Sequence, residues 1–334
     1  MKKYRYKCSL IMILAVLMCM CNGCTIDDKK VLSEKEEKKL SVVATVFPYY
    51  DFARAIGGDY IDVTLLLPPG RDSHSFEPTA KDLLMLQSAD VFLYNGGEME
   101  TWVEDVLDAL PREDKITFQG IKTVELLEET HTKSMKNTGH DHEHGEECEE
   151  NHEEDHHHDE YDEHIWTSLE NAQLLVEAIE EVLCEAAPEY EKIFHENASV
   201  YREQIAEVEE EIKGLTENAR IKKIIFADRF PFLYFAEEFG LDYDAAFSGC
   251  AGDTEPSARV VASLIEEIRK ENINAVYHVE MGNTKTAQMI QEATGVEVLE
   301  LHSCHTVTSK QQKDGVTYVE LMKQNVENLR KGLQ

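Results

Sequence analysis

The chain has 334 residues, of which 42% are hydrophobic, and a formal charge of −33 at pH 7. This length can bury a large core and favours two lobes over one. The strong negative charge argues against nucleic acid and against an electrostatic hold on anionic lipid, because both are polyanions, and it leaves cations as the partners that such a surface attracts.

The first residues predict export. Four basic residues precede an apolar run, 8–20, which is too short to span a bilayer and is typical of a signal-peptide core. Gly23 and Cys24 resemble the end of a bacterial lipobox, in which the cysteine receives a diacylglycerol and becomes the N-terminus. We therefore expect a signal peptide over 1–24 that ends at a lipidated Cys24, followed by a polar tether over 25–39. Ordinary secretion with cleavage nearby is the alternative.

From Leu40 onward, short β-rich runs alternate with helical patterns, which predicts βαβ units around mostly parallel sheets. In the first half the β-rich runs are 40–46, 61–67 and 91–95, and the helical stretches lie near 48–57, 79–89 and 171–183. This alternation predicts an N-terminal α/β lobe over 40–186.

The segment between Gly139 and His164 combines eight histidines with thirteen acidic residues and contains no Lys or Arg. Such a stretch repels itself, so we predict a solvated His/acid-rich loop over 128–163. Neutral imidazole is the commonest protein ligand for zinc, so the loop is either an acidic spacer or a weak metal-collecting segment. The collecting histidines would be His140, His142, His144, His152, His156, His157 and His158.

A polar segment of about thirty residues follows Pro188, and two apolar series repeat in it every seven residues. This pattern predicts one long helix over 187–219 that lies along the two lobes of its own chain; a coiled-coil dimer is the alternative. The alternation then resumes, with β-rich runs at 221–227, 275–279 and 296–301 separated by helical patterns, and predicts a C-terminal α/β lobe over 220–334. The fold class is therefore α/β, with two lobes of mostly parallel sheets joined by one long rigid helix, and we expect a monomer.

Several motifs are distributed along the chain: LLPPGRDSHSFEPTAKDL, DEHIWTSLENAQLL, LYFAEEFGLDY, TEPSARVVASLIEEIRKENINAVY and GVTYVELMKQNVENL. They resemble the metal-binding cluster A-I family of solute-binding proteins, the zinc and manganese receptors of ABC importers, over nearly everything from Leu40 to Leu333. The resemblance implies a receptor held at the cell membrane by its lipid anchor. This receptor would face the extracytoplasmic side and deliver Zn²⁺, or alternatively Mn²⁺, to an ABC permease. Zinc-type members carry a His- and acid-rich loop immediately before the second ligand motif, where the loop of this chain also lies.

The resemblance also implies metal ligands in a cleft between the lobes. The first His ligand of the family, after a Pro-Gly turn, corresponds to His74, which follows a predicted strand at the edge where open α/β sheets hold ligands. The second corresponds to His164. At the third position this chain has Arg229, which cannot bind a metal ion. We therefore predict Asp228 as the substitute, with a purely structural carboxylate as the alternative.

The fourth ligand of the family is usually an Asp after the final strand, and this chain has LELHSCHTV there. Strand alternation puts Glu300 and His302 on the same side, and His302 lies nearer the end of the strand, so it ranks first, ahead of Glu300 and His305. Glu280, which ends another predicted strand, is a lower candidate. With His302 the site would have three imidazoles and one carboxylate, a set that suits tetrahedral Zn²⁺ better than Mn²⁺.

Enzymatic function is not expected. No G-x-S-x-G, Walker A, H-E-x-x-H or Rossmann glycine pattern occurs. A closed site with four protein ligands also leaves no open position for a reactive water. An adhesin on the same scaffold and, last, a metallohydrolase remain the alternatives to an importer receptor.

Two cysteines follow predicted strands on the ligand edge of the second lobe, Cys250 in FSGCAGD and Cys304 in HSCHT. Export to an oxidising compartment permits a disulfide between them, which would fix the loop that carries His302. A thiolate ligand to zinc is the competing interpretation.

Overall fold

The computed structural model describes residues 38–71, 73–109, 115–135, 161–249 and 255–334. Within these ranges, His74 is described by its backbone alone. The predicted signal peptide, the lipidated Cys24, most of the tether, the seven collecting histidines and Cys250 lie outside the described residues. None of the helices in the described part of the chain is long and apolar enough to cross a membrane.

The N-terminal lobe contains a sheet whose strands pair in parallel, in the order β2-β1-β3-β4. The strands of this lobe are β1 (Leu40–Ala44), β2 (Ile61–Leu65), β3 (Val91–Tyr94) and β4 (Ile116–Gln119). Its helices are α1 (Phe47–Gly57), α2 (Ala80–Ser88), α3 (Trp102–Ala109) and α4 (Leu169–Ala186). All four residues of β3 are buried, as expected for a strand covered on both faces. Both β4 and α3 are additional to the predicted elements.

The long helix α5 (Glu191–Glu217) packs against α4 and α1 and against the C-terminal helix of the chain. The residues of its two seven-residue series, from Phe194 to Ile212, are buried against the rest of the protein, and Leu215 is partly buried. The lobes of the chain itself therefore cover these apolar residues, as predicted, and a coiled-coil dimer is not needed to bury them.

The C-terminal lobe has a second parallel sheet with the equivalent order, β6-β5-β7-β8. Its strands are β5 (Lys223–Phe230), β6 (Asp242–Ser248), β7 (Ala275–His278) and β8 (Glu297–Glu300). Its helices are α6 (Leu233–Phe239), α7 (Ala258–Glu271), α8 (Lys285–Thr294), α9 (Ser309–Asp314) and α10 (Tyr318–Gly332). Two parallel sheets with flanking helices and a long helix confirm the predicted fold class, although β6 was not among the predicted strands.

The two lobes share a hydrophobic core and are also joined by buried polar groups. Asp51 of α1 accepts hydrogen bonds from the Tyr201 hydroxyl of α5 and, at 2.7 Å, from the Tyr318 backbone N–H at the start of α10. Burial raises the pKa of Asp51, although these hydrogen bonds oppose that shift. One carboxylate thus ties the first lobe to the long helix and to the last helix.

Candidate metal centre

A cavity of about 440 Å³ lies where the ends of strands from both sheets meet. The N-terminal lobe contributes Gly70, Arg71 and His164 to its lining. From the C-terminal lobe come residues at or beyond the ends of β5, β7 and β8, including Asp228, Arg229, Glu280, Met281, His305 and Thr306. The carboxyl ends of parallel strands are where open α/β sheets hold ligands, and here both sheets present that edge to the same space.

His164 lies in this cavity, as expected from its motif, and its ring is oriented by Asp162. The backbone N–H of His164 donates to Asp162 Oδ1 at 2.8 Å, and His164 Nδ1 lies 3.2 Å from the same oxygen. Tyr234 in turn donates its hydroxyl to the backbone carbonyl of Asp162 at 2.7 Å. With Nδ1–H donating to the carboxylate, Nε2 is the ring nitrogen that carries the lone pair for a metal, an arrangement common in metal sites.

Glu163 anchors the same segment to the first lobe. Its carboxylate accepts hydrogen bonds from the backbone N–H groups of Glu98 and, at 2.7 Å, Met99, and its carbonyl accepts one from the Asn95 side chain at 3.0 Å. Burial raises the pKa of Glu163 to about 7, against the lowering effect of these bonds. The turn after β3, which showed no chemical motif in the sequence, therefore holds the His164 segment in place. A Cβ on Gly97, whose φ is +82°, would collide with the Glu163 carboxylate.

His305 also lies in the cavity, opposite His164, with the two ring centroids 5.7 Å apart. His302, which ranked above it, is not among the lining residues. Its backbone N–H and carbonyl are bonded to the Asn325 side chain at 2.7 and 2.8 Å, and its Nδ1 accepts the Cys304 N–H at 3.0 Å. Glu300 is exposed and is also absent from the lining.

The difference from the expected ranking has a backbone cause. Strand β8 ends at Glu300, so alternation no longer determines side-chain direction at His302. Cys304 then adopts the left-handed conformation, with φ of 62°, an unusual state for a residue other than glycine. The chain therefore turns within HSCHT, and His305 rather than His302 reaches the cavity.

Three acidic residues of the C-terminal lobe line the cavity: Asp228, Glu280 and the exposed Glu255. Both oxygens of Glu280 accept hydrogen bonds from Ser303, from its N–H at 2.7 Å and its hydroxyl at 2.6 Å. Asp228 lies where the pairing of β5 with β6 changes register, and its Oδ1 accepts the Arg229 N–H at 2.9 Å. A Cβ on Gly282 would meet Asp228 Oδ2, so only glycine leaves room for this carboxylate. Asp228 and Glu280 thus line the same cavity as the two imidazoles.

The loop that carries His74 also borders the cavity. Gly70 lies on the lining and donates its N–H to Thr306 Oγ1 of the other lobe at 3.0 Å, and His74 follows in a short 3₁₀ turn, Ser73–Ser75. Among the side chains that the structure describes, no group of three or more His, Cys, Asp or Glu is arranged to hold a metal ion. The side chain of His74 lies outside the described part of the chain, so its role as a ligand stays a prediction.

Cys304 is fully buried, and burial raises the pKa of its thiol well above the usual value. Within the described residues its thiol is free. Its predicted partner, Cys250, lies outside them, so the disulfide remains a prediction. Among the described residues that line the cavity Cys304 does not occur, so the geometry does not favour it as a thiolate ligand.

Comparison with known proteins identifies the family. Residues 42–332 match the family model described as the periplasmic component A of the zinc-uptake complex. The chain belongs to this family. The resemblance inferred from the sequence motifs is thereby confirmed, and the description of the zinc-uptake component A family places its members outside the cytoplasm.

Relatives within this family are similar over most of the chain. The zinc-binding protein AdcA of Streptococcus pyogenes is 33% identical over 307 residues, which cover 90% of this chain and 57% of AdcA. The high-affinity zinc uptake system protein ZnuA of Bacillus subtilis is 28% identical, with 98% of each chain covered. The Zn(II)-bound ZnuA-like domain of Streptococcus pneumoniae AdcA superposes with a TM-score of 0.71 at 28% identity, covering 88% of this chain and 99% of the domain. This chain thus spans little more than half the length of the AdcA proteins.

Proposed function

We propose that this protein is an extracytoplasmic receptor that binds Zn²⁺ between its lobes and delivers it to an ABC permease. The observation that carries the proposal is the pair of imidazoles from opposite lobes, His164 and His305, whose ring centroids lie 5.7 Å apart in a cavity that Asp228 and Glu280 also line. Its role is binding rather than catalysis. The names of the zinc-binding relatives support zinc as the cargo.

The ligand set that we propose consists of His74, His164 and His305 with one carboxylate from Asp228 or Glu280. Three imidazoles and one carboxylate suit tetrahedral Zn²⁺, whereas recruitment of both carboxylates would suit Mn²⁺ better. His305 takes the place that the sequence assigned to His302, because only His305 lines the cavity. Glu280 ranks level with Asp228, since both line the same space.

The remaining parts of the chain would support this task. A lipid on Cys24 and the tether to residue 39 would hold a monomeric receptor near its permease. We propose lobes over 40–186 and 220–334 joined by the helix segment 187–219. Because the lobes share a core, metal binding should produce only a small motion.

Replacement of one imidazole tests the proposal. His164→Ala should weaken zinc binding by two orders of magnitude or more, since a tetrahedral site loses a direct ligand. Competition titration of metal-free protein with a zinc chelator measures this affinity. The matched control is His195→Ala, because His195 is a half-exposed histidine on α5 that contacts Glu180. Equal zinc affinities of the wild type and His164→Ala would contradict the proposed site.

A further inference from the structure

Trp166 contacts both imidazoles of the candidate site. Its ring centroid lies 5.7 Å from that of His164 and 5.7 Å from that of His305, with interplanar angles of 67° and 69°. The indole is fully buried and also meets Tyr49 edge-on. The three ring centroids therefore form a triangle with equal sides, and the two imidazoles in it come from different lobes.

Hydrogen bonds attach this residue of the first lobe to the second lobe at two points. The indole Nε1–H donates to the Ser303 carbonyl at 2.9 Å, and the Trp166 carbonyl accepts the Tyr318 hydroxyl at 2.8 Å. Ser303 lies two residues before His305. The segment that carries His305 is also bonded to the first lobe through its own carbonyl, which accepts the Phe47 N–H at 3.3 Å. The indole therefore fixes the HSCHT backbone directly while its ring contacts both histidines.

We propose that Trp166 is a positioning residue that sets the distance and orientation of His164 relative to His305, so that this pair is already formed in the metal-free protein. The inference rests on the proposed zinc site. A large planar side chain with few rotatable bonds is suited to this role, and edge-on ring contacts favour a defined orientation. A preformed pair loses less conformational freedom when the metal binds, which increases affinity.

The test compares two substitutions that each remove a hydrogen bond between the lobes and retain an aromatic ring. Trp166→Phe removes the bond to Ser303. Tyr243→Phe, the control, removes the contact of Tyr243 with Thr130, and Tyr243 does not line the cavity. Trp166→Phe should lose roughly 10- to 100-fold in zinc affinity, as partners of metal ligands generally do, while Tyr243→Phe remains near wild type. The visible absorption of the Co²⁺-loaded protein, which reports ligand geometry, should change in Trp166→Phe alone.

A second measurement on the unsubstituted indole covers the case in which Trp166→Phe does not fold. In ¹⁵N NMR spectra of metal-free protein, Trp102→Phe identifies the Trp166 indole resonance, because the chain has two tryptophans. The indole N–H should be protected from solvent exchange before zinc is added, and its shift should move at one equivalent. Rapid exchange, or an unchanged Co²⁺ spectrum and zinc affinity in folded Trp166→Phe, would overturn the positioning role. If His164→Ala also bound zinc normally, the proposed site itself would fail.

Discussion

The two segments that bring histidines to the cavity differ in how directly the sequence indicates the histidine. His164 lies within the motif DEHIW, in which Asp162 contacts its ring and Glu163 bonds to the turn after β3. His305 lies at the end of an irregular stretch in which β8 has stopped and Cys304 is left-handed. In DEHIW the sequence indicates the histidine that reaches the cavity, whereas after β8 the backbone path decides which histidine does so.

The largest expected effect comes from replacing, one at a time, the two histidines that follow β8. His305→Ala should lower zinc affinity by two orders of magnitude or more, because a direct ligand is lost. His302→Gln should lower the melting temperature, because the buried ring and its bond to the Cys304 N–H are lost, but should retain zinc affinity within about tenfold. Chelator competition and thermal unfolding of both variants provide the measurements. The reverse pattern would restore His302 as the ligand.

In the DEHIW segment, a residue that only supports His164 should have a smaller effect than a ligand. Asp162→Ala should weaken zinc binding by roughly 10- to 100-fold, because the His164 ring loses the carboxylate that orients it. Asp162→Asn should lose less, since its amide oxygen can still accept from Nδ1–H. Zinc affinity and Co²⁺ absorption measured on both variants check this order. Wild-type behaviour of Asp162→Ala would show that the ring is oriented by something else.

Glu100, in the turn that holds Glu163, should make the stability of the protein depend on pH. Burial raises the pKa of Glu100 from 4.5 to about 7, although its carboxylate accepts the Asn95 and Gly96 N–H groups. The folded state therefore retains a proton that the unfolded chain releases, so stability decreases as pH rises from about 4.5 to about 7. The contribution of this group is on the order of 3 kcal/mol.

Glu100→Gln removes this titration while its amide oxygen can still accept a hydrogen bond. Denaturant unfolding of metal-free protein should show that the variant gains stability relative to wild type between pH 5 and pH 8. Exposed Glu98 in the same turn provides the control, Glu98→Gln, which should follow the wild-type profile. Parallel profiles for Glu100→Gln and wild type would mean that Glu100 is already ionised in the folded state.

The smallest expected effect on the cleft comes from the His/acid-rich loop. Deletion of residues 138–160 should leave the fold and the tight zinc site intact, because His164 remains, and should abolish additional weak sites. In the full chain those weak sites should disappear as pH falls through about 6.5, since imidazole must be deprotonated to bind metal. Equilibrium dialysis counts the bound zinc ions. An equal count for both proteins would leave the loop as a spacer.

The fold could be predicted because its signals are periodic. The seven-residue series from Phe194 to Ile212 requires a long buried helix, and the β-rich runs require parallel sheets. Strand β6 was missed because DYDAAFS contains two acids, of which Asp244 is buried and accepts hydrogen bonds from Thr132 and Ser134. The hydroxyl groups that make burial of Asp244 possible belong to residues more than a hundred positions earlier in the chain, so the local sequence does not indicate them.

The candidate site could be predicted where a motif includes its own supporting residues, as DEHIW does. The role that we propose for Trp166 depends on its bond to Ser303, more than a hundred residues away, and no local spacing indicates such a contact. The choice of His305 depends on a left-handed cysteine, whose conformation has no reliable signal in residue type. Sequence patterns therefore do not predict contacts between distant residues or the backbone torsion of a single residue.

The most direct test of the central claim is a crystal structure of zinc-loaded protein with anomalous data collected at the zinc absorption edge. We predict one strong anomalous peak in the cavity between the lobes, with nitrogen atoms of both His164 and His305 at about 2.0–2.1 Å. A strong peak bound to His302, or a cavity without zinc in protein that binds one equivalent tightly in solution, would contradict the account.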